Sequence, residues 1–234
     1  MRPSVHRVLV VSVWIASLVA GGGGPAAAQA PDSADESMVQ PVPAGAADED
    51  TSDKDAPYVP SSESVVVRML EVADVSEDDV VYDLGSGDGR IPITAAKEFG
   101  ARGVGIEIDS ALVADARARA REAGVEDKVR FRKGDMFNAD LSDATVVTLY
   151  LWPEVNIRLR PKLLRELDPG DRIVSHDFQM GTWTPDREVD VERETGGEER
   201  VYLWVVPDDV PTDLTDISDE LDTLEVDTDA GDSK

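Results

Sequence analysis

Apolar residues in the middle of the chain follow two alternating spacings. Short runs rich in Val, Ile and Leu, such as residues 80–84 and 145–151, have the length and composition of buried strands. Between such runs, apolar residues recur every three or four positions, as they do on one face of a helix, for example in 111–123. Strands that alternate with helices are typical of a parallel sheet with crossover helices. The pattern therefore predicts a doubly wound α/β domain.

Turn residues and caps give approximate bounds for each element. Parallel strands are predicted at 80–84, 103–108, 129–132, 145–151 and 172–175. An antiparallel C-terminal hairpin is predicted from the alternation in 187–193 and 200–206, joined through two glycines. A first helix is predicted from a cap at Ser61 or Ser62 to a point before Val75. Further helices are predicted at 91–99, at 111–123 with Asp109 or Ser110 as the cap, and at 153–167. Pro161 is expected to kink the last of these helices or to start a new one.

The N-terminal 30 residues have the three-part layout of a secretory signal peptide. A basic start precedes a short apolar run, and small residues follow up to Ala30. The run is shorter than the roughly 20 apolar residues of a spanning helix, so cleavage after Ala30 is expected to leave no membrane span. That interpretation places the mature domain outside the cytoplasm. A true start at Met38 would instead leave the protein in the cytoplasm.

Composition separates one foldable region from two acidic flanks. Residues 31–56 and 208–234 contain many Asp and Glu residues and little that a core could bury, so a disordered linker and a disordered tail are expected. The single folded domain is therefore predicted to cover residues 57–207.

Charge restricts the classes of partner. The chain has 49 acidic and 23 basic residues, giving a formal net charge of −26, which argues against nucleic acid as a partner because phosphate binding needs clustered cations. The absence of cysteine excludes disulfides and thiol catalysis. A basic run at Arg158, Arg160, Lys162 and Arg165 is interpreted as a solvated helix face, with contact to an acidic substrate as the alternative.

A glycine-rich segment, DLGSGDGR at residues 83–90, lies between the first predicted strand and the following helix. An open α/β sheet binds its ligand at this place, and glycines allow the backbone to approach a ligand closely. The residues of this segment that are candidates for cofactor contact are Asp83, Gly85, Ser86, Gly87 and Gly89.

The same segment differs from a dinucleotide-binding loop. Arg90 stands where such loops carry a third small residue, and Asp83 and Asp88 would repel a pyrophosphate. S-adenosylmethionine (SAM) carries an ammonium and a sulfonium group but no phosphate, so a carboxylate favours its binding. The loop therefore predicts SAM as the cofactor and disfavours a nucleotide-linked oxidoreductase.

Two further carboxylates follow the next two strands. Glu107 ends the second strand about 20 residues after the loop, where a carboxylate can bind both ribose hydroxyls. Asp135 follows the third strand and can accept from an adenine amino group, while Met136 offers apolar contact. Three carboxylates at successive strand ends therefore match methionine, ribose and adenine in order.

On these residues the chain resembles the class I SAM-dependent methyltransferases. More narrowly, the segments PYVPS at 57–61, DLGSGDGR at 83–90 and VSH at 174–176 resemble small lysine methyltransferases related to the mitochondrial ATP synthase c-subunit lysine methyltransferase. The resemblance implies a Rossmann-like seven-stranded sheet with a reversed last strand, SAM as methyl donor and a protein lysine as acceptor. A small-molecule or lipid acceptor, and a SAM-binding module without turnover, remain the alternatives.

The acceptor side carries a weaker signal. After the fourth strand the chain has the sequence LYLWPE at 149–154, in place of the Asn/Asp-Pro-Pro-aromatic signature of many amino-group methyltransferases. Tyr58, Trp152, Glu154 and His176 are candidates for the pocket, with Glu154 or His176 steering or deprotonating an amine. Methyl transfer from a sulfonium requires neither a metal nor a covalent residue, so no metal site is predicted.

Overall fold

The computed structural model describes residues 60–192 and 197–229. The chain alternates strand and helix as the hydrophobic pattern predicts. The strands are β1 (Val80–Leu84), β2 (Arg102–Glu107), β3 (Val129–Lys133), β4 (Val146–Leu149), β5 (Arg172–His176), β6 (Arg187–Glu192) and β7 (Glu198–Val205). The α-helices are α1 (Glu63–Val72), α2 (Arg90–Thr94), α3 (Ser110–Glu122), α4 (Pro153–Glu166), α5 (Thr212–Thr215) and α6 (Ser218–Asp229).

Within the described residues, the seven strands form one sheet in the order β3-β2-β1-β4-β5-β7-β6. Strands β1 to β5 are parallel, whereas β7 runs antiparallel to both β5 and β6. The order reverses direction at β1, and β4 lies at the centre of the sheet, as its apolar sequence predicts. This mostly parallel sheet with an antiparallel C-terminal hairpin confirms the predicted fold class.

Side chains alternate between the two faces of the sheet along each strand, and both faces are buried at the central strands β1 and β4. Tyr82 and Leu84 pack in the hydrophobic cluster that includes Leu159 of α4. Val81 points to the opposite cluster, which contains Met69 of α1. Helices therefore cover both faces, and the carboxyl ends of the parallel strands are left as the edge where a ligand can bind.

Local chemistry sets most helix ends. The side chains of Ser62 and Asp109 accept from backbone N–H groups at the starts of α1 and α3, as capping residues do. Helix α2 continues as a π-helical turn over Ala95–Phe99 and ends at Gly100, whose φ is 78°. Helix α4 continues through Pro161, so this proline ends no helix and starts none.

The structure departs from the expected disordered tail beyond residue 208. Helices α5 and α6 fold there, and Leu214 is buried in the core. Arg160, expected on a solvated face, is fully buried and donates to the carbonyls of Leu214 and Met180 at 2.7 Å each. Its Nη2 also lies 2.5 Å from Glu220 Oε1. The acidic tail folds back because a buried guanidinium needs these partners.

Several predicted features fall outside the described residues. They are the signal peptide at 1–30, the linker at 31–56 and the pocket candidate Tyr58. Among the residues that are described, no helix is both long and apolar enough to cross a membrane.

Candidate active site

The three carboxylates chosen from the sequence lie on three neighbouring strands. Asp83 is in β1, Glu107 ends β2, and Asp135 follows β3 after Gly134. The sheet register pairs Asp83 with Gly105 and Glu107 with Lys133, so the strand ends lie side by side. Adjacent strands are about 4.8 Å apart, so the three positions span roughly 10 Å. An extended ligand can therefore contact all three.

The glycine-rich loop turns sharply between β1 and α2. Gly85, Gly87 and Gly89 have φ values of 77°, 51° and 79°, in the left-handed region that favours glycine. The amides of Gly85 and Ser86 both donate to the Ile106 carbonyl, at 2.9 and 3.0 Å. These internal bonds fold the loop against β2 and occupy amides that a pyrophosphate-binding loop would present to its ligand.

Glu107 connects the loop to the second strand. Its Oε2 accepts from the Gly87 amide at 2.9 Å, and its Oε1 accepts from the Asp109 amide at 2.9 Å. The side chain is only 9% exposed, so both bonds fix its orientation. Each carboxylate oxygen has a second lone pair. Glu107 is therefore held in place and retains the acceptor capacity that two ribose hydroxyls require.

Asp83 is a buried acid with a perturbed pKa. Burial raises the pKa of its carboxyl to about 7, and the charges of Glu107 and Asp88 act in the same direction. A hydrogen bond donated by Thr148 Oγ1 to Asp83 Oδ1, at 2.7 Å, opposes this shift. A buried carboxylate is costly without a positive partner. Asp83 is thus suited to bind a cationic group such as the SAM ammonium.

Asp88 was expected to repel an anionic ligand, but in the structure it pairs with two arginines of the protein. It is 2% exposed, and its Oδ2 lies 2.7 Å from both Arg90 Nη2 and Arg119 Nη1. Although burial acts to raise the pKa of Asp88, hydrogen bonds and charges from the two arginines hold it below its ordinary value. The charge is neutralised within the protein, so Asp88 anchors the loop and gives little repulsion toward a ligand.

Gly89 is required by packing. A Cβ on Gly89 would lie 2.5 Å from Phe131 Cζ and 2.8 Å from Ala116 Cβ. The same phenylalanine and the Ser86 hydroxyl crowd Gly105, where a Cβ would lie 2.5 Å from each. Glycine at these positions lets the loop, β2 and α3 approach closely, which is a structural requirement distinct from cofactor contact.

Asp135 caps the short 3₁₀ turn Met136–Asn138. Its Oδ1 accepts from the Phe137 amide at 2.8 Å and its Oδ2 from Asn138 Nδ2 at 2.6 Å. The side chains of Asp135 and Met136 are both half-buried. A Cβ on Gly85 would lie 4.0 Å from the Met136 Cε, which places this methionine beside the glycine-rich loop. The structure thus brings the adenine-side candidates together with the loop.

The acceptor side is a cluster of aromatic rings at the ends of β4 and β5. Trp152 directly precedes α4, at the N-cap position, and is 46% exposed. Its ring centroid lies 5.4 Å from that of Phe178, and the Tyr150 ring stacks on His176 with centroids 3.9 Å apart. Tyr150 and Phe178 are half-buried. We call Tyr150, Trp152 and Phe178 the aromatic face.

Two acceptor-side candidates are placed differently from each other. Glu154 is exposed in the first turn of α4, two residues after Trp152. His176 is fully buried, and its Nδ1 lies 2.9 Å from Ser61 Oγ. Because it is buried, His176 is not placed to contact a substrate amine directly. Burial beneath a stacked tyrosine removes the ring from the surface that an acceptor would touch.

Three contributing residues were not selected from the sequence. Thr148 carries the hydrogen bond to Asp83, and Tyr150 and Phe178 complete the aromatic face. Thr148 and Tyr150 flank the carboxyl end of a central strand, a position that marks ligand contact in open α/β sheets. Phe178 follows β5 after a bend and carries no such signal.

The residues present fit SAM. Within the described part of the chain, the buried Ser86 hydroxyl has no hydrogen-bond partner, and the loop provides negative charge at Asp83 beside side-chain-free glycines. Glu107 adds oriented acceptor oxygens at the ribose position. Asp83, Glu107 and Asp135 would therefore hold the methionine, ribose and adenine portions.

Comparisons with known proteins agree with this geometry. The family model of the ANTKMT methyltransferase domain matches residues 83–187. A protein-lysine N-methyltransferase from Saccharolobus islandicus is 49% identical over 151 residues, which cover 64% of this chain and 93% of that protein. The ATP synthase c-subunit lysine N-methyltransferase of Xenopus laevis is 37% identical over 130 residues, or 56% of this chain and 57% of that protein. The chain thus spans little more than half of this vertebrate relative.

A solved structure is also similar. It is described as an RNA methyltransferase from Salinibacter ruber in complex with S-adenosyl-L-homocysteine, and it is 60% identical with a TM-score of 0.64. The match covers 68% of this chain and all of that one. Fold and site together define a SAM-dependent methyltransferase. The chain belongs to the same methyltransferase family as the Saccharolobus islandicus protein.

Proposed function

We propose that this enzyme methylates the side-chain amine of a protein lysine. The observation that carries the proposal is the 49% identity to a protein-lysine N-methyltransferase over nearly the whole length of that relative. The exposed Trp152 of the aromatic face supports it, because a lysine on a folded protein can reach only a site at the surface.

The reaction divides the work between cofactor and protein. SAM supplies an activated methyl group on a positively charged sulfur. A nitrogen–carbon bond would form as the sulfur–carbon bond breaks in line, with neutral S-adenosylhomocysteine as the leaving group. The amine must be neutral to attack, so the lysine ammonium would first give one proton to water. The protein binds both reactants in this alignment. Asp83 and Glu107 fix the cofactor side, whereas the aromatic face positions the lysine.

The aromatic face suits a lysine in two ways. Its rings pack against the apolar stem of the side chain, and an ammonium over a ring face is attracted by about 0.5–1 kcal/mol at an exposed site. Glu154, exposed beside Trp152, adds a negative charge that draws an ammonium toward the entrance. Once an amine is partly desolvated against the rings, its pKa falls and the neutral form becomes more available.

RNA is the second candidate acceptor, because the Salinibacter ruber structure carries that description at 60% identity. The net charge of −26 opposes it, since RNA binding depends on basic surfaces. Of the basic run in α4, Arg160 is buried against Glu220 and Lys162 pairs with Glu166 at 2.7 Å. The charge distribution therefore favours a protein acceptor.

Labelling separates the acceptor classes. Purified protein is incubated with methyl-labelled SAM and an extract of the native host, and the products are divided by protease, ribonuclease and lipid extraction. Label that protease releases and that hydrolyses to methyl-lysine supports the proposal. Label in RNA, lipid or small molecules rejects the protein-lysine acceptor. A Glu107→Ala sample is the comparison, because weaker SAM binding should lower enzymatic label in every fraction when SAM is below saturation.

We also propose export of the mature chain. The basic start, the apolar run and the small residues up to Ala30 support this proposal. N-terminal sequencing of native protein from fractionated cells tests it. A mature start near Pro31 outside the cytoplasm is expected, whereas a start at Met38 in the cytoplasm would contradict export.

A further inference from the structure

A cluster of three possible ligand side chains lies at the junction of β5 and β7. His176 ends β5, Asp177 follows it, and Glu199 is the second residue of β7. The backbone holds this junction closely, since the Asp177 amide donates to the Arg200 carbonyl at 2.7 Å and the Arg200 amide donates to Asp177 Oδ1 at 2.8 Å. Neither the methyl-transfer chemistry nor the SAM site uses these three side chains.

The distances within the cluster resemble the edges of a metal coordination shell. His176 Nε2 lies 3.5 Å from Asp177 Oδ2 and 3.5 Å from Glu199 Oε1. A tetrahedral zinc site with bonds of about 2.1 Å has ligand–ligand edges of about 3.4 Å. All three ligand atoms lie within 4.8 Å of one another. The edge between the two carboxylates is the one that a bound cation would draw closer.

A hydrogen bond outside the cluster orients the imidazole. Ser61 Oγ lies 2.9 Å from His176 Nδ1, and a hydroxyl that accepts from Nδ1–H leaves the lone pair on Nε2, the nitrogen that faces the two carboxylates. Stacking with Tyr150 holds the plane of the ring. Metal-binding histidines have this arrangement, with one nitrogen toward the metal and the other fixed by a hydrogen bond.

Burial and charge favour a divalent cation. His176 and Glu199 are buried at 0% and 7% exposure, and Asp177 is half-buried at the surface. Two carboxylates and a neutral imidazole balance the charge of a divalent cation. Nitrogen and oxygen donors without cysteine suit Zn²⁺. Asp177 provides the access from solvent.

We propose that His176, Asp177 and Glu199 form a zinc site with three protein ligands. The fourth position of the shell faces the half-buried Asp177 side and is available to water. The bound ion joins β5 to β7 beneath the aromatic face and, through Ser61, fixes the segment that precedes α1. The site is separate from the atoms that exchange in methyl transfer.

Metal stoichiometry tests the proposal directly. Full-length protein without a histidine tag is treated with a chelator, equilibrated with Zn²⁺, desalted and analysed by mass spectrometry for metal. One zinc per chain is expected, together with a higher melting temperature in the presence of Zn²⁺. Co²⁺ in place of Zn²⁺ should give the visible absorption of a four-coordinate site.

Isosteric variants make the test specific. Glu199→Gln and Asp177→Asn preserve side-chain shape, and each should weaken zinc binding at least tenfold and remove the zinc-dependent rise in melting temperature. Glu188→Gln, an exposed acid on β6, is the matched control and should bind as the unmodified chain does. Because these variants keep the buried histidine, they remain informative even if His176→Ala does not fold.

Two results would overturn the proposal. The first is no retained zinc in the unmodified chain, in which case the three side chains contact one another without a metal. The second is equal zinc retention by Glu199→Gln and by Glu188→Gln, which would place the metal elsewhere.

Discussion

The two halves of the strand-end edge are built in different ways. At β1, β2 and β3, the candidate cofactor residues lie in short segments directly after strands, and backbone amides hold them, as the Gly87 amide holds Glu107. At β4, β5 and β7, the side chains come together from distant parts of the chain. Ser61 reaches His176 across 115 positions. The first half is held rigidly by its own backbone, whereas the second presents rings and exposed charge at the surface.

This difference leads to different expectations for mutation. The cofactor half depends on backbone conformation and buried carboxylates, so changes there should affect folding or SAM binding strongly. The acceptor half depends on exposed rings, so changes there should affect turnover with one substrate and leave SAM binding unchanged.

Gly89→Ala should give the largest effect, a loss of about 3 kcal/mol in the free energy of unfolding. A left-handed φ costs a residue with a Cβ roughly 1–2 kcal/mol, and overpacking against Phe131 adds roughly 1–3 kcal/mol. Urea unfolding followed by circular dichroism measures it. Gly124→Ala is the control, because its φ is 69° with nothing within 4 Å of the added Cβ, and it should lose only the conformational part. Equal losses would show that packing at Gly89 is unimportant.

Glu107→Ala should weaken SAM binding by about 1.5–3 kcal/mol, or roughly 10- to 150-fold, since hydrogen bonds to a charged group contribute that much. Isothermal titration calorimetry measures the change. Glu188→Ala, an exposed acid far along the chain, should bind SAM normally. The same affinity in both variants would mean that Glu107 only supports the loop.

SAM affinity should depend on pH through Asp83. With a pKa of about 7 in the free protein, the carboxyl is largely neutral below pH 7 and ionised above it. A cationic ligand favours the ionised form, so affinity should fall about tenfold, or about 1.4 kcal/mol, for each pH unit below 7, and binding should release a proton. Calorimetry in buffers of different ionisation enthalpy measures that release. Asp83→Asn should bind weakly at every pH with no such slope.

Asp83 also makes the stability of the free protein depend on pH. As pH rises through 7, stability should fall, whereas SAM affinity should increase. The pKa of Asp83 in the folded protein lies above its ordinary value of 3.8, so its contribution to stability is complete below about pH 4 and is lost as pH rises through 7. Asp83→Asn should therefore stabilise the protein without SAM, most clearly above pH 7. Thermal melts at pH 5 and pH 8 measure the difference. A variant that is destabilised at pH 8 would contradict a buried, costly carboxylate.

Trp152→Ala should have the smallest effect of these variants, and the effect should be confined to the lysine acceptor. Loss of a cation–π contact of about 0.5–1 kcal/mol predicts a 2- to 5-fold lower kcat/KM for the lysine acceptor, with unchanged SAM affinity. Initial rates of label transfer measure it. Val205→Ala, at another exposed apolar residue, should leave the rate unchanged. A parallel loss of SAM affinity in Trp152→Ala would remove the distinction between the two halves.

Sequence alone predicted the elements whose signal is local. The bounds of β1 match the apolar run, and of the two caps expected for each helix, Ser62 caps α1 and Asp109 caps α3. The fourth strand was predicted at 145–151, but β4 ends at Leu149, since Tyr150 turns to stack on His176. An apolar run indicates that its residues are buried, but it does not show where a buried strand ends and a buried loop begins.

The features that sequence did not predict depend on long-range contacts. The folded tail requires Arg160 and Glu220, which are 60 positions apart. Neither residue signals this pairing, because each is ordinary on a solvated surface. The cluster of His176, Asp177 and Glu199 likewise forms only when β7 pairs with β5. Carboxylates at strand ends were found because every parallel strand ends at the same edge.

Ser61 connects the two halves of the edge. Its carbonyl accepts from Arg90 Nη1 at 2.5 Å, and Arg90 is held by Asp88 in the glycine-rich loop. Its hydroxyl meets His176 on the other side. A movement of the glycine-rich loop is therefore transmitted to His176 through Ser61, and a movement of His176 is transmitted to the loop in the same way. By thermodynamic linkage, if SAM binding changes the zinc affinity of the site at His176 by some factor, zinc binding changes the SAM affinity by the same factor. Ser61→Ala should therefore remove the coupling between SAM binding and zinc binding.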